Sequence, residues 1–131
     1  MAVPADVILV VEDNEANCQL TCKILNHIGL QTVVKINGEE ALEWCRERVP
    51  RLILMDISLP GMDGLEVTRR LRAMPDQGNV PILALTAHAL GDWEEKTRAA
   101  GCTAYFAKPI RPRDLVEVVS RFLGLPPPVR T

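Results

Sequence analysis

Apolar residues in this chain fall into short unbroken runs, separated by longer segments of helical periodicity. That alternation restricts the fold more than any other feature of the sequence. Residues 7–11, 52–55, 80–85 and 104–107 form four such runs, rich in Val, Ile, Leu and Ala. None of them alternates apolar with polar, as a half-exposed strand would. Continuous aliphatic runs of this length fit strands buried on both faces, hence a parallel sheet. A weaker run at residues 32–36 carries Lys35 and reads as an edge strand.

The intervening segments read as helices. In the first, Asn17, Leu20, Thr21, Ile24 and Ile28 share one face, and Gly29 is placed to close the helix in a left-handed cap. The second opens on Asn37-Gly38-Glu39-Glu40, an Asn cap with Glu three residues on, and runs to about Arg48. The third starts near Gly64, presents Leu65, Val67, Thr68 and Leu71, and stops before Pro75. The fourth opens on Asp92-Trp93-Glu94-Glu95, another cap-plus-Glu pattern, and ends at Gly101. The fifth has Pro112 at its first helical position and Leu115, Val116, Val119, Phe122 and Leu123 as its buried face.

Strand followed by helix, five times over in 131 residues, predicts an α/β fold. The predicted architecture is a doubly wound, five-stranded parallel sheet with helices on both faces. The strand order 2-1-3-4-5 is the common solution, and it gathers ligands at the carboxyl ends around the first and third strands. Residues 6–124 form the predicted domain, and residues 125–131 a Pro-rich stub too short for a second one. A chain of this length buries about two-thirds of its unfolded surface, so the core needs no disulfide or metal staple.

The carboxyl ends of the predicted strands carry unusual chemistry. The first ends in Glu12-Asp13, the third in Asp56, the fourth in Thr86, and the fifth leads into Lys108-Pro109. In the predicted order these strands are successive neighbours about 4.8 Å apart. Three carboxylates, one hydroxyl and one ammonium converge on one rim. The carboxylates repel one another, and Lys108 offsets only part of their charge. A hard divalent cation resolves the excess, and Mg²⁺ characteristically takes one or two carboxylates, keeps several waters and accepts a phosphate oxygen. A carboxylate beside such an ion, with an ammonium and a hydroxyl aimed at the same volume, is equipped to accept a phosphoryl group.

Four segments carry a resemblance to a known family: Val10-Val11-Glu12-Asp13-Asn14, Met55-Asp56-Ile57-Ser58-Leu59-Pro60-Gly61-Met62-Asp63-Gly64, Leu85-Thr86-Ala87-His88, and Tyr105-Phe106-Ala107-Lys108-Pro109-Ile110. In order and placement they resemble the receiver domains of two-component response regulators, with their flavodoxin-like (βα)5 fold. The resemblance spans residues 6–124 and implies a phosphorylation switch. Asp56 would take a phosphoryl group from a phosphohistidine on a histidine kinase or histidine phosphotransfer protein. Asp13 would hold Mg²⁺ directly and Glu12 mainly through water, with Asp56 and the Ser58 backbone carbonyl completing the protein ligands. Thr86 and Lys108 would contact the phosphoryl oxygens, and the Lys108–Pro109 bond is expected to be cis.

The resemblance also implies a switch in which Thr86 moves toward the phosphoryl group and Tyr105 turns inward. The face made by the fourth helix, fifth strand and fifth helix would be remodelled for an unidentified downstream protein, as a shift between two pre-existing arrangements. Ser58 and His88, each two residues beyond a site residue, flank the path of an attacking water and bear on the lifetime of the phosphorylated state. His88 either orients that water or is a solvated loop histidine. On this reading the chain is a signalling switch, not an enzyme with turnover beyond its own phosphorylation and dephosphorylation. A phosphorylation-linked homodimer is compatible with it.

Other features read as ordinary. Cys18 and Cys22 are expected beside the apolar stripe of the first helix and partly exposed. Trp93 sits among acids and reads as exposed or partly packed. Arg69, Arg70 and Arg72 complement the dipole of the third helix. Fifteen Lys and Arg against seventeen Asp and Glu leave a net charge of −2, which argues against nucleic acid as a partner. The longest charge-free stretch, residues 77–91, contains Pro81 and is shorter than the roughly 20 apolar residues of a membrane span. No secretory signal is visible, and four cysteines without framework spacing suit a reducing cytoplasm.

Two rival enzymes on the same topology fit less well. A flavodoxin needs a hydroxyl- and glycine-rich phosphate loop where Glu12-Asp13 stands. A haloacid-dehalogenase-type phosphatase needs a second acid two residues after the nucleophile, where this chain has Ser58. A receiver module belonging to a hybrid kinase or a multidomain regulator remains the alternative to a free-standing one.

Overall fold

The structure is a computed structural model that describes residues 2–87 and 91–126. Its central element is a five-stranded parallel sheet of β2 (Ile8–Val11), β3 (Thr32–Lys35), β5 (Leu52–Asp56), β6 (Ile82–Thr86) and β7 (Ala104–Ala107), in the order β3-β2-β5-β6-β7. In terms of those five strands this is the order 2-1-3-4-5. The crossovers run through α1 (Glu15–His27), α2 (Gly38–Glu47), α3 (Gly64–Ala73) and α4 (Trp93–Ala100), and α5 (Pro112–Leu123) follows the last strand.

Side chains of successive strand residues point to opposite faces, and here each face has its own core. Leu9, Val11, Ile53, Met55, Ile82 and Ala84 face α2, α3 and α4, joined by Leu42, Val67, Leu71 and Ala100. Ile8, Val10, Leu52, Leu54 and Leu83 face α1 and α5, joined by Leu25, Leu115, Val118 and Val119. That division explains why the runs are apolar at every position.

Helix ends follow their local chemistry, with one exception. Asn14, Asn37 and Asp63 accept hydrogen bonds from the backbone N–H three residues on, each at 2.9 Å. Gly29, with φ +88°, closes α1, and Pro112 opens α5. Asp92 makes no such cap; it pairs instead with Lys96 at 3.4 Å, one turn along the helix.

Several expectations are corrected. Cys18 is buried, at 7% exposure, and Leu20 is 55% exposed. The core-facing line of α1 runs through Cys18 and Leu25, rotated from the expected stripe. Leu20 instead lines an apolar groove of about 710 Å³ between α1 and α5, with Ile24, Ile28, Pro112 and Val116. Val116 is half-buried, while Val118 and Ser120 complete the buried side of α5. The fourth strand begins at Ile82, after Pro81, whose carbonyl accepts the N–H of Ile53 at 2.8 Å. Two short strands had no counterpart in the reading: β1 (Val3–Pro4) pairs in parallel with β4 (Arg48–Val49), beside the end of α2. Among the described residues no helix is long and apolar enough to cross a membrane.

Candidate phosphoacceptor site

The sheet register alone brings the rim together. Val11 pairs with Met55, which puts Glu12 level with Asp56, and Asp56 pairs with Leu85. Thr86 pairs with Ala107, so Lys108 emerges beside the end of β6, and its backbone N–H donates to the Thr86 carbonyl at 2.7 Å. Glu12, Asp56 and Thr86 are 7%, 5% and 0% exposed, whereas Asp13 is exposed. Carboxylate oxygens of Glu12, Asp13 and Asp56 lie within 4.8 Å of one another.

Lys108 joins two of these acids. Its Nζ donates to Glu12 Oε1 at 2.8 Å and lies 3.2 Å from Asp56 Oδ2. Burial opposes the charge on this ammonium, but its bonds to Glu12 and Asp56 outweigh that and raise its pKa above the ordinary lysine value. Burial pushes the Glu12 carboxyl above its usual range, and the adjoining Asp56 pushes the same way against the pull of Lys108. Three carboxylates therefore crowd one ammonium that pairs with only two of them, the buried Glu12 and Asp56, while Asp13 stands exposed beside them. This donor set of hard oxygens with an excess of negative charge fits a divalent cation.

The surrounding loops fix these groups. Ser58 is exposed two residues past Asp56, and its N–H donates to Asp56 Oδ1 at 2.9 Å. Glu12 is held by two residues whose sequence context assigned them no such role: the Asn14 N–H at 3.3 Å from Oε2 and Asn17 Nδ2 at 3.4 Å from Oε1. The Cys18 thiol donates to the Glu12 carbonyl at 3.2 Å, which accounts for its burial. Behind Asp56, a Cβ on Gly64 would come 2.3 Å from the Asp56 carbonyl oxygen, so only glycine fits there. The Lys108–Pro109 peptide is cis. His88 lies outside the described residues.

Two residues before Ala107, the register partner of Thr86, Tyr105 is half-buried in β7, opposite Ala84. It lines a groove of about 300 Å³ with Glu94, Thr97, Arg98 and Phe106. Trp93 is packed partly against the adjoining core, with Lys96 Nζ 5.0 Å from the centre of its ring.

A family model described as "Response regulator receiver domain" matches residues 8–120. The chain belongs to the response regulator receiver family. It is 42% identical over 117 residues to the polar-differentiation response regulator DivK of Brucella anthropi, covering 89% of this chain and 95% of that protein. Among solved structures, a putative response regulator from Chloroflexus aurantiacus superposes with a TM-score of 0.85 at 31% identity, covering 91% of this chain and 98% of that one. The receiver domain of a sensor histidine kinase from Pseudomonas aeruginosa, with magnesium coordinated in its active-site cleft, superposes with a TM-score of 0.83 at 35% identity. That match covers 95% of this chain and 99% of the other. Receiver domains are the signalling modules of two-component systems, and in this one the rim of Glu12, Asp13, Asp56, Thr86 and Lys108 lies where the sheet register converges.

Proposed function

We propose that this receiver accepts a phosphoryl group on Asp56 from a phosphohistidine of a histidine kinase or histidine phosphotransfer protein. The observation that carries the reading is the pairing of a buried Asp56 with Lys108 Nζ at 3.2 Å inside a triad of carboxylates. A carboxylate oxygen of Asp56 attacks phosphorus, the P–N bond breaks with its electron pair going to the donor nitrogen, and the imidazole, already protonated on its other ring nitrogen, leaves neutral. Lys108 moves its interaction toward the developing phosphoryl oxygens, and the hydroxyl of Thr86 is the neighbouring donor on the next strand. Glu12, Asp13, Asp56 and the Ser58 carbonyl are the groups that would hold Mg²⁺, which when bound offsets the charge on the transferring oxygens. Ser58 leaves the approach to Asp56 open to water, and with His88 it bears on hydrolysis of the acyl phosphate.

Output runs through the half-buried Tyr105 and the surface of α4, β7 and α5, which changes its affinity for a downstream protein or a second copy. The cytoplasm, where histidine kinases present their phosphohistidine, is the corresponding location. Phosphoramidate tests the chemistry directly, since its P–N bond stands in for that of phosphohistidine. The expected product is a Mg²⁺-dependent adduct that hydroxylamine removes, as it does acyl phosphates. An adduct stable to hydroxylamine would place the phosphoryl group on something other than a carboxylate.

A further inference from the structure

Arg72 sits in the last turn of α3, where a cation complements the helix dipole, yet its guanidinium reaches away from its own helix. Nε donates to the Gly101 carbonyl at 2.8 Å, Nη1 to the carbonyls of Gln77 at 2.8 Å and Gly78 at 3.3 Å, and Nη2 to the Thr103 hydroxyl at 3.3 Å. The stem is seated as closely. Gly101 has φ +107°, and a Cβ there would lie 2.7 Å from Arg72 Cγ. One turn earlier on α3, Thr68 Oγ1 lies 3.8 Å from Cys102 Sγ. Each of the consecutive residues 101–103 is therefore in contact with α3.

Thr103 is in turn fastened to the sheet. Its hydroxyl accepts the Ile82 N–H at 3.0 Å and its own N–H donates to the Ile82 carbonyl at 2.8 Å. The strand β7 starts at the next residue and ends one residue before Lys108. At the opposite end of α3, Gly64 lies against the Asp56 backbone and donates its N–H to the Ile57 carbonyl at 3.0 Å. The Thr68 hydroxyl donates to the Gly64 carbonyl at 2.8 Å.

These contacts close a ring: Asp56, α3, Arg72, Thr103, β7, Lys108, and back to Asp56. Its two long sides are of the same order, since the eight steps from Gly64 to Arg72 span about 12 Å and the five steps from Thr103 to Lys108 span about 17 Å. Close-packed interiors transmit displacement instead of absorbing it. A change where Arg72 grips residues 101–103 would then be passed along β7 towards the other closure, the contact of Lys108 with Asp56.

We propose that Arg72 is a positioning residue for the Lys108–Asp56 pair, acting through α3 and β7 without touching the site. The inference rests on the reading of Asp56 as phosphoacceptor only for its consequence, not for its geometry. A dipole partner could be any cation. Donors in three directions require the planar fork of arginine.

The experiment compares wild type, Arg72→Met, Arg72→Lys and Thr103→Val, each as the full chain. Amide resonances are assigned first. The ring predicts that the shifts of Arg72→Met extend from residues 77–78 and 101–103 to residues 104–108 and 56–58; shifts confined to the immediate neighbours of Arg72 would overturn it. Thr103→Val opens the same corner from the other side but also frees the Ile82 N–H, so Arg72→Lys decides the question if Arg72→Met does not fold. Phosphorylation by acetyl phosphate is then followed at saturating Mg²⁺. The saturating rate of Arg72→Met is expected to fall roughly threefold to tenfold, with the half-saturating concentration unchanged, as for a misplaced reacting group. Arg72→Lys is expected to behave like Arg72→Met, and full recovery in it would contradict the geometric argument. A wild-type chain that takes no phosphoryl group overturns the phosphoacceptor reading, while the amide shifts still decide the role of Arg72.

Discussion

Lys108 donates to Glu12 Oε1 at 2.8 Å across 96 positions of sequence, and the same ammonium lies 3.2 Å from Asp56. One cation thus ties the ends of β2, β5 and β7 together at the point where negative charge accumulates. The pairing with Glu12 leaves Asp56 less than fully neutralised, because the second acid competes for the same Nζ.

Asp56→Asn should therefore stabilise the metal-free protein. The amide keeps the acceptor used by the Ser58 N–H, and Lys108 keeps Glu12, while one of three crowded charges disappears. The melting temperature is expected to rise by about 2–4 °C, which for a chain of this size is of order 1 kcal/mol. Stabilisation by added Mg²⁺ should shrink at the same time. A lower melting temperature than wild type would show that the Lys108 contact outweighs the repulsion.

Gly64→Ala should be costly at a position that looks like an ordinary first helical residue. The new Cβ would overlap the Asp56 carbonyl oxygen, and backbone cannot swing aside as a side chain can. A loss of about 2–4 kcal/mol in denaturant unfolding is expected, with slower phosphorylation. Gly78→Ala, which meets nothing within 4 Å, serves as the neutral comparison. Equal stability of the two variants would remove the argument for close approach.

The two acidic caps should separate cleanly. Asp63 accepts the Glu66 N–H at 2.9 Å, so Asp63→Ala is expected to cost about 1 kcal/mol. Asp92 makes no cap hydrogen bond and is expected to cost less than about 0.5 kcal/mol when replaced by Ala, since its exposed pair with Lys96 contributes little. Urea titrations of the two variants measure this difference, and matching losses would mean that Asp92 caps α4 in solution.

Most of the fold was legible because each strand of the central sheet is a contiguous run whose neighbours are helices. Strand order, edge position and the convergence of Glu12, Asp13, Asp56, Thr86 and Lys108 follow from that pattern and the handedness of crossovers. What escaped depends on contacts between distant residues. The stripe of α1 was misplaced because Leu20 and Cys18 are equally apolar; only the packing of α1 decides that Cys18 turns inward to the Glu12 carbonyl. Asp92 and Asp63 have the same local signature, and only one makes the bond. Arg72 was indistinguishable from Arg69 and Arg70, which reach back to Glu66 on their own helix, until Gly101 and Thr103 were brought beside it. Two-residue strands such as β1 and β4 are too short to show any period.

Stability should fall in alkali through the buried thiols. Burial pushes Cys45 from its ordinary value near 9.0 up to about 12 and Cys18, helped by nearby carboxylates, up to about 11. Below pH 9 the thiols are protonated in both native and unfolded chains and stability is unaffected. From pH 9 towards 12 the unfolded chain ionises first, and the native state loses ground. For Cys45 the loss at pH 10.5 is about 2 kcal/mol. Urea midpoints at pH 8 and pH 10.5 should diverge less in Cys45→Ala than in wild type; an unchanged divergence would assign the alkaline loss elsewhere.

The central claim is that Asp56 is the phosphoacceptor of a metal-assisted site. Intact-protein mass spectrometry after brief incubation with acetyl phosphate tests it most directly, with and without Mg²⁺, on wild type and Asp56→Asn. The account predicts a single phosphoryl adduct on wild type that requires Mg²⁺ and is absent from Asp56→Asn. An adduct of equal abundance on Asp56→Asn, or one indifferent to Mg²⁺, would contradict it.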